Sequence, residues 1–208
     1  MSEELVFYTN PMSRGRIVRW MLEEVGLPYR TQIVHYGPEM KAAEYRAINP
    51  MGKVPALVHN GAVVTEVAAI CAYLADVFPD VGLAPALDDP ARAPYLRWLF
   101  FAAGPLEAAV TNKTLGVVVP EERRGMIGYG SFEDVMDTLE HAVSQGEYVA
   151  GDAFSAADLY LGAQLQWGLM FGTIDKRPAF EGYAQRLATR PAAIRAKELD
   201  DAAMPPQA

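Results

Sequence analysis

Three short segments of the chain place polar groups where a strand pattern gives way to a turn or a helix, and each can do chemistry. In Tyr8-Thr9-Asn10-Pro11-Met12-Ser13-Arg14-Gly15-Arg16, Ser13 stands at the start of a helical pattern. Unpaired amides and the positive end of the helix dipole favour an anion there. The Ser13 hydroxyl either caps the helix or donates a hydrogen bond to a thiolate. In Asn49-Pro50-Met51-Gly52-Lys53-Val54-Pro55-Ala56-Leu57, Pro55 enters a strand without an amide hydrogen. A cis Val54-Pro55 bond would let Val54 offer its amide and carbonyl to an extended peptide-like ligand, and a trans proline on an edge strand is the ordinary alternative. In Val64-Thr65-Glu66-Val67-Ala68-Ala69-Ile70, Glu66 falls in a first helical turn. It either partners the helix dipole, worth about 0.3–1 kcal/mol, or grips an ammonium while free amides hold the carboxylate of the same amino acid.

Other chemistries lose their local evidence. The chain has no Walker phosphate loop, no GxGxxG and no HExxH pair. Cys71 is the single cysteine, which excludes an intrachain disulfide, a CxxC centre and a cysteine-based zinc site. It lies on an apolar helical stripe and reads as a packing thiol. His35, His59 and His141 are scattered, and no metal is expected. Eighteen Lys and Arg (18) against 26 Asp and Glu give a net charge of −8, which argues against nucleic acid and anionic membranes as partners. Arg14, Arg16 and Arg19 form a local basic cluster, expected to be a solvated helix face with one or two local contacts. The start, Met1-Ser2-Glu3-Glu4, has no secretory pattern, and no apolar run is long enough for a membrane. A soluble cytoplasmic protein is the expectation.

The elements that must position these segments follow from periodicity. Leu5 to Tyr8 reads as a strand, and Ile17, Met21 and Val25 as a helix face closed by Gly26. Tyr29 to Val34 is a second strand and Glu39 to Ile48 a weaker helix. Ala56 to Val58 and Ala62 to Val64 flank the hairpin signal Asn60-Gly61. Val67, Ile70, Cys71, Leu74 and Phe78 mark a helix that stops before Pro79. The order βαβ, short helix, ββα implies a small mixed sheet covered by helices over residues 1–80. Pro79, Gly82, Pro85 and Pro90 bracket a linker at 81–90, and 91–208 is expected to be all helical. Long helices are expected over Ala91 to Leu115, Glu121 to Ser144 and Ser155 to Phe171, with shorter ones after Pro178 and Pro191. Ser155 and Asp158 have capping-box spacing, and Met204 to Ala208 is expected to fray.

Taken together and in this order, the segments resemble the soluble glutathione S-transferase superfamily, in its serine-containing, theta- and zeta-like form. The resemblance spans essentially the whole chain. It is carried by Tyr8 to Arg16, Gly52 to Leu57, the helix start Glu66 to Ala75, and Gly151-Asp152-Ala153-Phe154-Ser155-Ala156-Ala157-Asp158. It implies an α/β thioredoxin-like domain followed by an all-α domain, with glutathione as co-substrate. On this resemblance Ser13 is the catalytic hydroxyl that donates to the glutathione sulfur, with Asn10 or Arg14 able to assist or replace it. Lys53 reaches the glycyl carboxylate, with Lys41 a weaker candidate for that end. Val54 pairs with the cysteinyl backbone before a cis Pro55, and Glu66 binds the γ-glutamyl ammonium. Tyr8, the other hydroxyl, is expected within its strand.

One departure stands out. The family pattern has Ser after the acidic or amide residue, whereas this chain has Val67, which keeps the amide donor and loses a hydroxyl contact worth about 0.5–1.5 kcal/mol. The implied electrophile pocket lies between the domains and is lined by Trp98, Phe101, Glu107, Trp167 and Phe171. The resemblance also implies a homodimer. The function expected is activation of the glutathione thiol for attack on a small hydrophobic electrophile. The alternatives are a noncatalytic glutathione-binding scaffold of the same fold, a glutathione-dependent peroxidase or disulfide reductase, and isomerase or dehalogenase chemistry with the same thiolate.

Overall fold

The computed structural model describes residues 4–205. Residues 206–208 of the segment expected to fray, and residues 1–3 of the N-terminal stretch, lie outside it. The chain falls into two compact units. One comprises the chain up to Val81 together with the chain from Arg190 onward, the other Gly82–Thr189.

The first unit contains β1 (Leu5–Thr9), α1 (Gly15–Val25), β2 (Arg30–Ile33), α2 (Pro38–Lys41), α3 (Ala43–Arg46), β3 (Ala56–His59), β4 (Ala62–Thr65) and α4 (Val67–Val77). The sheet order is β2-β1-β3-β4, with β1 parallel to β2 and antiparallel to β3, and β3 antiparallel to β4. The amphipathic face of α1 buries Ile17, Val18, Met21 and Leu22, and Gly26 closes the helix in the left-handed region at φ 74°. Asn60 and Gly61 supply the two positive φ angles, 50° and 85°, of the β3–β4 hairpin turn. The mixed sheet with its helices is the architecture expected for this part of the chain.

The helix expected over Glu39 to Ile48 is two short helices instead, parted at Ala42, whose backbone is extended. Met40 and Tyr45 are five residues apart and would diverge by about 140° on one helix. The break turns both into one apolar cluster with Val34, against which Tyr8, Ile48 and Val54 also pack.

The second unit contains α5 (Arg92–Phe101), α6 (Glu107–Thr114), α7 (Phe132–Ser144), α8 (Ala156–Phe171) and α9 (Pro178–Ala188). The single helix expected over Ala91 to Leu115 is interrupted by a π-helical turn, Ala102–Leu106, around Pro105, which has no amide hydrogen to give. The helix expected from Glu121 begins only at Phe132. A 3₁₀ turn, Glu121–Met126, and the glycines at 125, 128 and 130 precede it, and the Ser131 side chain accepts the Asp134 amide as its cap. Tyr95, Leu99, Leu106, Leu139, Leu161, Leu165 and Phe180 form the buried interior.

The last helix, α10 (Pro191–Ala202), is grouped with the first unit, although the sequence assigned it to the helical domain. It packs on α1. Arg190 grips Glu24 through two hydrogen bonds of 2.6 and 2.9 Å, Arg195 pairs with Glu23 at 2.6 Å, Arg19 with Asp200 at 3.2 Å, and Arg16 with Asp201. The helices therefore run antiparallel. Of the basic cluster Arg14 is exposed, as expected of a solvated face, but Arg19 is not: it is buried, lies over the Phe7 and Tyr29 rings, and also donates to the Thr31 hydroxyl at 2.7 Å. Among the described residues, no helix is long and apolar enough to cross a membrane.

Candidate active site

The register of the sheet brings the three sequence segments to one edge. Tyr8 lies opposite Ala56, and Ala56 opposite Thr65. The chain leaving β1 toward Ser13, the chain entering β3 at Val54-Pro55, and the chain leaving β4 at Glu66 thus emerge at the same end of three adjacent strands. Neighbouring strands stand about 4.8 Å apart, so three stations span roughly 10 Å, the length of an extended tripeptide at about 3.3 Å per residue.

The first station is built around a close approach. A Cβ at Gly15 would sit 1.9 Å from Thr9 Oγ1, so only glycine lets the first turn of α1 abut the end of β1. Ser13 is buried there. Its Oγ accepts the Gly15 amide at 2.9 Å and donates to the Asn10 carbonyl at 2.7 Å. Arg14 takes the N-cap position of α1, and the first turn holds no acidic residue. The first turn thus brings no carboxylate of its own to the positive end of the helix, a setting that favours an anion, while Arg16 is engaged by Asp201. Asn10, the alternative to Ser13, is buried and committed to the loop. Its Nδ2 donates to the Val34 carbonyl at 3.1 Å and its Oδ1 accepts the Met12 amide at 3.0 Å. Tyr8 lies within β1, as expected, with its ring 5.9 Å from that of Tyr45.

At the second station the Val54-Pro55 bond is cis. The Val54 side chain packs inward on the Val34, Met40 and Tyr45 cluster. Among the described residues neither its amide nor its carbonyl has a hydrogen-bond partner within the chain. The loop before it is held firmly: the Lys53 carbonyl accepts the Tyr45 hydroxyl at 2.7 Å and Asn49 Nδ2 at 2.8 Å. Burial pushes the Tyr45 phenol up to about 12, so it remains a neutral donor. Lys41, expected at the glycyl end of a ligand, directs its Nζ to the Met51 and Gly52 carbonyls at 3.0 and 2.6 Å, and so braces the turn that presents the exposed Lys53. Gly52 has φ 55°, and a Cβ there would lie 2.6 Å from the Met40 carbonyl oxygen.

At the third station Glu66 occupies φ 68°, ψ 125°, a region hostile to any residue with a Cβ. Such strain costs about 1–3 kcal/mol. The carboxylate is exposed and makes no cap bond, and among the described residues it has no ion pair. Val67 follows as the first residue of α4, buried. This backbone conformation was invisible to sequence reasoning, since Glu carries no preference for positive φ.

The residues expected to line an electrophile pocket form two aromatic pairs in the second unit. Trp98 and Phe101 on α5 meet edge to face at 5.3 Å, and Trp167 and Phe171 on α8 at 6.4 Å. Trp98 is buried, whereas Phe171 is 70% exposed. Glu107 follows the π-helical turn, half-buried, and accepts the Tyr160 hydroxyl and Gln164 Nε2, both at 3.4 Å. Cys71 is fully buried, and burial pushes its thiol up to about 12, which removes it as a nucleophile. Among the described residues, no group of three or more His, Cys, Asp or Glu side chains could hold a metal ion.

Comparison with known proteins converges on one family. Residues 12–77 match the model for the glutathione S-transferase N-terminal domain and residues 130–191 that for its C-terminal domain. The chain is similar to glutathione S-transferase GstA of Escherichia coli O157:H7, 30% identical over 71% of this chain and 74% of that one. It is also similar to glutathione S-transferase GST-4.5 of Xanthomonas campestris, 30% identical over 86% of this chain and 91% of that one. Among solved structures, a glutathione transferase from Methylococcus capsulatus superposes with a TM-score of 0.79 at 29% identity, covering 95% of this chain and 99% of that one. A glutathione transferase homologue from Sulfitobacter with bound glutathione gives 0.76 at 28% identity, covering 96% and 99%.

Proposed function

The chain belongs to the glutathione S-transferase family, and on that premise we propose that it is a serine-type glutathione transferase that binds the tripeptide across the three strand ends and activates its thiol. The observation that carries this reading is the register of β1, β3 and β4, which aligns an anion-favouring helix start, an unpaired peptide unit and an unpaired carboxylate along one edge. The relative with bound glutathione supports the ligand, and the transferase names of the relatives favour catalysis over the noncatalytic and peroxidase alternatives.

In this reading Lys53 faces the glycyl carboxylate, and Val54 pairs through its amide and carbonyl with the cysteinyl residue. Glu66 takes the γ-glutamyl ammonium, and the amide of Val67 its carboxylate. The Ser13 hydroxyl turns from the Asn10 carbonyl to donate to the sulfur. A free thiol with pKa about 8.5 is mostly protonated at neutral pH. Lowering it by about two units takes roughly 2.7 kcal/mol of preferential thiolate stabilisation. A hydroxyl donor, a bare helix start and the cation of Arg14 can together provide that sum. The thiolate then attacks an electrophilic carbon, and the departing group leaves with the electron pair of the broken bond. Trp98, Phe101, Glu107, Trp167 and Phe171 supply the side chains for a small hydrophobic electrophile. A homodimer in the cytoplasm completes the proposal, and the free, buried Cys71 suits that reducing compartment.

Calorimetric titration with reduced glutathione tests the reading. Binding tighter than about 1 mM, accompanied by the ultraviolet band of a thiolate at neutral pH, is expected. Folded protein that gives no heat and no displacement by a competing glutathione analogue overturns it.

A further inference from the structure

The last residue of β1, Thr9, is completely buried, and among the described residues its Oγ1 has no hydrogen-bond partner. Its carbonyl is used, accepting the Val34 amide at 2.8 Å. Buried hydroxyls are nearly always paired, because removing one from water without a new partner is unfavourable. An apolar residue at the end of this buried strand would strand no polar atom. The oxygen also lies against the first turn of α1. A Cβ added at Gly15 would fall 1.9 Å from Thr9 Oγ1 and 3.0 Å from Ser13 Oγ, so both hydroxyl oxygens crowd one point of that turn.

A serine hydroxyl has one proton and two lone pairs. At Ser13 the Gly15 amide takes one lone pair at 2.9 Å and the proton goes to the Asn10 carbonyl at 2.7 Å. Among the described residues no other donor reaches the second lone pair. The Asn10 carbonyl also accepts the Ser13 amide at 3.0 Å, so it keeps a partner when the hydroxyl turns away. We propose, on the reading that Ser13 serves the glutathione sulfur, that Thr9 is the positioning residue behind it. When Ser13 turns its proton to the sulfur, the Thr9 hydroxyl donates to the remaining lone pair of Ser13 Oγ. The result is a short chain from Thr9 through Ser13 to the thiolate, in which no proton changes owner. Donation into Ser13 Oγ polarises its O–H bond and holds the rotor toward the sulfur. The two hydroxyls make no bond to each other in the structure, and hydrogen bonds of this kind commonly tighten only in the complex with substrate. Thr9 is completely buried and acts only through Ser13.

The test is the thiol pKa of reduced glutathione bound to the full chain, read from the ultraviolet band of the thiolate, with calorimetry to establish saturation. Thr9→Ala and Thr9→Ser both lose the methyl group and differ by the hydroxyl alone, so packing effects are common to the pair. Thr9→Val removes the hydroxyl without leaving a cavity. It covers a fold intolerant of alanine, as alanine covers one intolerant of the valine methyl beneath Gly15. Cooperative strengthening amounts to about 10–30% of a bond. Thr9→Ala and Thr9→Val are therefore expected to raise the thiol pKa by about half a unit, a threefold loss of preference for the thiolate, with Thr9→Ser within about 0.2 unit of the parent. In a Ser13→Ala background, Thr9→Ala is expected to add no further shift, because the hydroxyl through which it acts is gone. Equal pKa values in Thr9→Ala and Thr9→Ser overturn the proposal and leave glutathione binding intact, as does a Thr9→Ala shift that persists undiminished beside Ser13→Ala. A folded parent chain that binds no glutathione overturns the proposal and the glutathione reading together.

Discussion

Two helices of this molecule have a buried serine at their start, Ser155 as the N-cap of α8 and Ser13 one residue before the N-cap of α1, and they are finished in opposite ways. At α8, Ser155 gives both its amide and its hydroxyl to the carboxylate of Asp158, at 2.9 and 2.7 Å. The other oxygen of Asp158 takes the Val149 amide at 2.8 Å and the Tyr183 hydroxyl at 2.7 Å. At α1, Ser13 meets only backbone groups, no acid enters the first turn, and Arg14 and Arg16 stand where the carboxylate would be. The difference teaches that a serine at a helix start is a structural cap where a carboxylate closes the turn. Where no acid enters the first turn, the helix start keeps the amides and dipole end that the proposed function assigns to an exogenous anion.

The largest expected effect breaks the structural side of this comparison. Asp158→Ala strands four buried donors and is expected to cost on the order of 4 kcal/mol. That corresponds to a fall of roughly 10 °C in the thermal midpoint of a chain this size. A midpoint within about 2 °C of the parent would show that the α8 cap is dispensable. Ser13→Ala addresses the other side. Its stability loss is expected to stay near 1 kcal/mol, while kcat/KM falls about 100-fold and the thiol pKa of bound glutathione rises by between one and two units. Spectroscopic titration of the thiolate in the complex measures the second quantity. An unchanged thiol pKa with glutathione fully bound removes Ser13 from the mechanism and leaves it a cap like Ser155.

Much of this contrast was legible in the residues alone, because caps, hairpins and amphipathic faces are local. Asn60-Gly61 dictates its turn, Gly26 its helix end, and the Ser155–Asp158 spacing its capping box. What escaped were outcomes decided by distant partners. The apolar residues of α10 do not say which surface they will cover. The opposed charge orders, Arg16-Arg19-Glu23-Glu24 on α1 and Arg190-Arg195-Asp200-Asp201 on or beside α10, do contain the answer once read against each other. These charges run against the helix dipoles, with acids at both C-terminal ends. A reading of each helix by itself discounts them for that reason. Glu66 escaped for a related reason: its positive φ is set where β4 meets α4, and no local preference of glutamate announces it.

That strained residue sharpens the comparison at a smaller scale, because strain without function would be removed by glycine at no loss. Glu66→Gly relieves the Cβ conflict and is expected to stabilise the fold by about 1 kcal/mol. It also weakens glutathione binding about tenfold through loss of the ammonium contact. Glu66→Gln retains the strain and is expected to weaken binding alone. Chemical denaturation paired with calorimetry separates the two quantities. Glutathione affinity unchanged in both variants would show that the strained carboxylate has no part in recognition.

The finest distinction is in pH dependence, where the two helix starts are expected to slope in opposite directions. Burial outweighs the hydrogen bonds of Asp158 and holds its carboxyl above the usual carboxylate range. Between the unfolded value, about 3.9, and the raised folded value, the folded chain keeps a proton that the unfolded chain has lost. The contribution of Asp158 to stability therefore rises as pH falls through that window and shrinks as pH climbs out of it. At α1 the group that the proposed function expects to be depressed is the bound thiol. From its pKa in the complex up to about 8.5 in free glutathione, binding releases a proton, so affinity strengthens as pH rises. Thermal midpoints of the parent relative to Asp158→Asn from acid to neutral pH follow the first slope. Calorimetric glutathione affinities from neutral to mildly alkaline pH follow the second. A glutathione affinity flat across that range would mean that the helix start holds a neutral thiol.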